Sequence, residues 1–89
     1  MKYAPHKPKR YTIRFDTKTF MAEVTARRDA RGLTWVDLGL ATGIHNATLQ
    51  HLATGRVDAP GAHILCNLLK WLGKTDIAEY MIEVDPEAD

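Results

Sequence analysis

Residues 33–56 read LTWVDLGLATGIHNATLQHLATGR, and their spacing predicts two short helices joined by a tight turn. The first covers about 35–42. Thr34 is its N-cap, because the hydroxyl can accept from the unpaired N–H groups of the first turn. Gly43 follows, where a left-handed backbone costs little. Ile44 plugs the turn. His45 or Asn46 opens a second helix that lasts to about Ala53, before Gly55 stops it. Leu38, Gly39, Ile44, Leu49 and Leu52 are small or apolar where two steeply crossed helices must touch. Gly39 has no side chain, so the second helix can come close. Asn46, Ala47, Gln50 and His51 fall between these inward positions and face out.

The flanks supply the rest of a small core. Asp16 or Thr17 caps a first helix that runs to about Ala30, with Phe20, Met21 and Val24 on one stripe. Arg27, Arg28 and Arg31 crowd its C-terminal end, where positive charge suits the helix dipole. Residues 56–60 form a loop, and Pro60 suits the first turn of the next helix, since its missing N–H costs nothing there. That helix covers about 61–72. Ile64, Leu65, Leu68, Leu69 and Leu72 give it a broad apolar face, which predicts the central buried helix. A last helix is expected from Thr75 or Asp76. Asp76-Ile77-Ala78-Glu79 has capping-box spacing, and Ile77, Tyr80, Met81 and Val84 form a stripe. Ahead of all this, residues 1–15 read as a basic arm. Pro5 and Pro8 prevent a helix, and the alternation over 11–15 fits an extended strand or a short edge pairing. The organisation is thus an arm over 1–15, a helical domain over 16–85 with its motif at 34–53, and a polar tail over 86–89.

At 89 residues the chain is one domain with a modest core. Its charge is uneven. Nine bases and three acids lie between Met1 and Arg31, whereas six acids and no base follow from Asp76 on. A basic front suits contact with a polyanion; the plainer reading is a soluble domain of uneven charge. No apolar run approaches the roughly 20 residues of a membrane span. The basic N-terminus has no apolar stretch behind it, so it is not a secretory signal. The one cysteine, Cys66, sits in an apolar pattern and reads as an inert core thiol. These features together point to the cytoplasm. His6, His45, His51 and His63 have no metal-ligand spacing, so neither a metal nor another cofactor is expected. Cys66 has no neighbouring base and there is no phosphate-cradling glycine loop, so an enzyme is not expected either.

The pattern resembles the helix-turn-helix of the lambda-repressor and Cro-like family, the XRE-type regulators of phages and bacteria. The likeness covers roughly 17–84. It is carried by Gly32-Leu33-Thr34, Leu38-Gly39, Gly43-Ile44-His45, Thr48-Leu49 with Leu52, Thr54-Gly55-Arg56, and the helix ending in Leu72-Gly73. The resemblance implies an all-α, compact five-helix domain with an extended basic arm. It also implies a sequence-specific, double-stranded-DNA-binding transcription regulator, most simply a Cro or immunity repressor in a bacterial cell or phage-infected host. The alternative is an antitoxin or other protein-interaction module of the same fold.

The second motif helix would then enter the major groove. Asn46 and Gln50 can each offer an acceptor and a donor to adenine, Ala47 can touch a thymine methyl, and His51 can donate to a guanine or a phosphate. Any of the four can instead be solvated surface. Phosphate contacts are expected from Arg56, from His45, which stands where the family often has Ser or Thr, and from Thr48, unless Thr48 packs on its own helix. Trp35 stands where the family often holds a phosphate; its indole N–H can do so, or the ring can pack on the arm. Lys7, Lys9, Arg10 and Arg14 would follow the backbone or enter the minor groove, or stay solvated. In much of the family an arginine at the Arg28 position pairs with a glutamate where Ala53 stands, so Arg28 is expected free on the surface or on a phosphate. A homodimer reading an inverted repeat would use Tyr80, Met81 and Val84, which can equally close their own core.

Overall fold

The computed structural model describes residues 13–83. Lys7, Lys9, Arg10, Val84 and the 86–89 tail lie outside the described residues. Strand β1 (Ile13–Phe15) leads into α1 (Thr17–Ala30), α2 (Trp35–Thr42), α3 (Asn46–Ala53) and α4 (Ala62–Leu72). A single 3₁₀ turn (Ala78–Tyr80) then enters strand β2 (Met81–Glu83). The two strands pair antiparallel, Ile13 opposite Glu83 and Phe15 opposite Met81. The described residues are mostly helical, with four helices and a small two-stranded sheet in place of five helices.

The motif helices form where the sequence puts them. Thr34 Oγ1 accepts from the Asp37 N–H at 3.0 Å, and the Asp37 carboxylate accepts from the Thr34 N–H at 2.9 Å. This reciprocal box satisfies two otherwise unpaired donors. Those bonds, the one from the Thr34 backbone first, hold the Asp37 carboxyl below its ordinary range. Asp16 caps α1 by accepting from the Thr19 N–H at 3.2 Å. Gly43 ends α2 with φ at 73°, the left-handed conformation that turns the chain into α3.

One apolar cluster joins every helix. Phe20, Met21 and Val24 of α1, Leu38 of α2, Ile44 of the turn, Leu49 and Leu52 of α3, and Leu68 and Leu72 of α4 are buried with Tyr80. Each large side chain removed from water contributes about 1.5–3 kcal/mol. The centre is α1 rather than α4. In α4 only Leu68 and Leu72 are buried, while Ile64, Leu65 and Leu69 are half-covered. Gly61, not Pro60, takes the start of that helix, as its N-cap. Cys66 is exposed and not a core thiol. It lies two residues before Leu68, about 200° round the helix.

The expected last helix is not formed. Asp76 accepts from the Ala78 N–H at 2.9 Å, but Glu79 turns away to Lys74 Nζ at 2.6 Å, so the return half of a capping box is missing. Tyr80 is drawn inward instead. Its ring lies 5.0 Å from Phe20 and 5.8 Å from Phe15, centre to centre, and Phe15 lies 5.2 Å from Phe20. The Tyr80 carbonyl accepts from the Asp16 N–H at 2.6 Å. With that bond made, Met81, Ile82 and Glu83 meet the open edge of β1. A ladder plus an aromatic cluster then outweighs one or two isolated helical turns, which are marginal alone. Tyr80 is 1% exposed, so it closes the molecule's own core.

The Tyr80 hydroxyl donates to Glu23 of α1 at 2.5 Å, and Lys74 lies 3.4 Å from the same carboxylate. The hydroxyl's donation, helped by Lys74, holds the Glu23 carboxyl below its ordinary value against the opposing effect of burial. Burial first, and then Glu23, pushes the Tyr80 phenol up to about 12.

Candidate nucleic-acid interface

Helix α3 rests on α1 and α2 through Leu49 and Leu52. Its start is set by Gly39, where the turn's backbone comes so close that a Cβ would meet the Ile44 carbonyl oxygen at 2.5 Å. His45 is the N-cap. Its Nδ1 accepts from the Ala47 N–H at 3.0 Å, so Nδ1 is unprotonated and the ring proton sits on Nε2, on an exposed side chain. The imidazole therefore caps α3 and still keeps one donor.

Among the expected base-reading residues, Gln50 is exposed, while Asn46, Ala47 and His51 are half-buried on the flanks of the helix. None of the four side chains makes a hydrogen bond among the described residues. Thr48 is half-buried. At the far end the Thr54 hydroxyl donates to the Gln50 carbonyl at 2.9 Å, and the Arg56 N–H donates to the His51 carbonyl at 2.8 Å. That wrap leaves Arg56 exposed one step beyond the helix. The following loop is pinned by the Thr17 hydroxyl, which donates to the Asp58 carbonyl at 2.7 Å. Arg14 of β1 and Lys18 of α1 border the same groove as Ala53 and Gly55, so β1 lies beside the C-terminal end of α3.

The arginines at the end of α1 are engaged by the protein itself. Arg28 is neither free nor aimed outward. It donates to the Leu33 carbonyl at 2.5 Å, pairs with Asp29 at 2.6 Å, and lies 4.4 Å above the Trp35 ring. Trp35 packs against the core beneath that guanidinium. Arg31 covers Trp71 at 5.0 Å, and Arg27 reaches the Leu72 carbonyl at 3.4 Å. Two arginine–tryptophan stacks thus engage the basic end of α1, and Arg28, expected free on the surface or on a phosphate, is held in one of them. The signal was present in the sequence as two tryptophans and a basic helix end, but their pairing is set by the fold. Among the described residues, no three His, Cys, Asp or Glu side chains gather as a metal site.

A scan against protein-family models and searches of curated proteins and of solved structures found no match to this chain.

Proposed function

We propose that this chain is a sequence-specific binder of double-stranded DNA, of the Cro or immunity-repressor kind, that occupies an operator through α3. The observation that supports the reading is the build of α3. A buried apolar stripe and the close turn at Gly39 hold the helix, while the Gln50 amide lies exposed on it, the Asn46 amide and His51 imidazole lie half-buried on its flanks without a hydrogen bond among the described residues, and Arg56 follows. A rigid helix of that kind suits the major groove, with amides for adenine edges and a cation for phosphate. Arg14 and Lys18 add cationic surface beside its C-terminal end.

Selection of bound duplexes from a random pool tests the reading. A single enriched motif is expected, and loss of selectivity in Asn46→Ala with Gln50→Ala. No enrichment at low salt would overturn it. An inverted repeat would mean two copies; of the expected dimer trio, Met81 is exposed on the ribbon.

A second reading, an antitoxin-like protein-interaction module, draws on α2. Val36 and Leu40 are 53% and 81% exposed and lie one turn apart on its outer side. Val36→Ser with Leu40→Ser separates the two. A DNA regulator keeps its operator affinity, whereas an interaction module loses a co-purifying protein.

A further inference from the structure

Helix α3 is only eight residues long, and so short a helix depends on what holds its ends. Its first turn carries Asn46 and Ala47, and its side-chain cap is the Nδ1 lone pair of His45, turned to the Ala47 N–H at 3.0 Å. The caps of α1 and α2 are the Asp16 carboxylate and the Thr34 hydroxyl. Of these three kinds of acceptor, only an imidazole ordinarily loses its lone pair to a proton between about pH 5 and 8. A proton on Nδ1 would set donor against donor at the Ala47 N–H. It would also put positive charge at the positive end of the helix dipole. Nothing around the ring offsets that charge. The cleft beside it is walled by Val36, Gly39 and Leu40 of α2, Gly43 and Ile44 of the turn, and Asn46, none of them ionisable. The one acid of α2, Asp37, is engaged by Thr34 at the opposite end of that helix from the turn. Among the described residues, no carboxylate of α1 or any other element is within ion-pair distance of His45. On its own helix, His51 lies six residues on, about 240° round the axis.

We infer that His45 is a positioning residue for the proposed DNA contact and that it serves only as the neutral ring. This rests on the reading of α3 given above and adds to it how the site responds to acid. In the free chain, fraying of the first turn accommodates a protonated ring. On an operator that turn has to be ordered, because Asn46 and Ala47 sit in it, so binding in acid must expel the proton. Affinity therefore falls as pH falls. A histidine that grips phosphate as a cation gives the opposite sign. The neutral ring gives up no donor by capping, since its Nε2–H is still free to meet a phosphate.

The free full-length chain tests the cap. At about pH 8, nitrogen NMR of the ring should show the tautomer with its proton on Nε2, and the Ala47 amide should exchange more slowly than in an unfolded peptide. That protection should be lost as the ring titrates towards about pH 5.5. A proton on Nδ1 at the higher pH, or protection that ignores the ring's titration, would overturn the cap. The consequence is tested on the duplex enriched from the random pool. His45→Asn supplies a capping oxygen that does not titrate. It should match the native chain at about pH 8 and bind about three- to tenfold more tightly than it at about pH 5.5, the worth of one cap. His45→Ala, with its circular dichroism checked against the native chain, should be weaker than both at the higher pH. Comparison at matched pH cancels His51 and His63, which all three proteins share. A native chain that outbinds His45→Asn in acid would mean a cation gripping phosphate, and equal affinities at both pH values would mean a bystander; either sinks the positioning role. If no duplex is bound at any pH, the DNA reading falls, and the tautomer and the Ala47 amide still decide the cap.

Discussion

A methyl group at Gly39 would stand 2.5 Å from the carbonyl oxygen of Ile44 and 3.4 Å from the N–H nitrogen of Asn46. Both neighbours are backbone, which cannot swing away as a side-chain tip can. Gly39→Ala should therefore lower stability by about 1–3 kcal/mol despite the gain in helix propensity, read as a fall in the urea midpoint. The same change shifts the start of α3, so operator selectivity should suffer with it. The residues proposed to meet DNA separate differently. Asn46→Ala and Gln50→Ala should each cost about 1–3 kcal/mol on a specific site, while Arg56→Ala should weaken every sequence alike and flatten the salt dependence. Cys66 offers a simple control: as an exposed thiol it should react with a thiol reagent in the native state at the rate of an unfolded peptide.

Among the elements, the 3₁₀ turn and β2 are tied to α1 by Glu23, Tyr80 and Lys74, and this tie responds to pH at both ends. The Glu23 carboxyl is lowered in the fold from its ordinary 4.5, so its contribution is present above that value and lost as pH falls below it. The Tyr80 phenol is raised from 10.0 to about 12, so its contribution is present below 10.0 and lost as pH rises through about 12. Stability measured against pH should fall on both sides, with Glu23→Gln flattening the acid limb and Tyr80→Phe the alkaline one. The helix-turn-helix was legible in the sequence because everything that makes it is local: a cap at Thr34, a glycine turn, and apolar residues three and four apart. The end of the domain was not. Ile77, Tyr80 and Met81 fit a helical stripe as well as anything nearby could show. What decided otherwise was Phe15 and the open edge of β1, at the other end of the described chain. Likewise, nothing near Arg28 in the sequence pairs Arg31 with Trp71, and the exposure of Cys66 depends on which side of α4 meets α1.

Taken whole, the molecule has one core and one charge asymmetry, and the fold modifies both. The core is shared by all four helices and Tyr80, so unfolding should be a single transition seen alike by circular dichroism and tryptophan fluorescence. Among the described residues of the basic front read from the sequence, Arg27, Arg28 and Arg31 are engaged by the protein itself, while Arg14 and Lys18 are exposed near α3, where Arg56 joins them. The helix read from the sequence as base-reading is present at Asn46–Ala53, and the proposed interface draws on a smaller set of cations than the charge count suggested.

The ribbon also bears on how the molecule is made. Ile13–Phe15 is made before the four helices, and the ladder partner it has among the described residues is made after them. Until then the nascent domain must hold together on helix packing alone, with Phe15 and the β1 edge uncovered. Among the described residues, pairing β1 with β2 closes a loop that spans all four helices, and a chaperone or protease meeting the chain before that closure would find its open seam there.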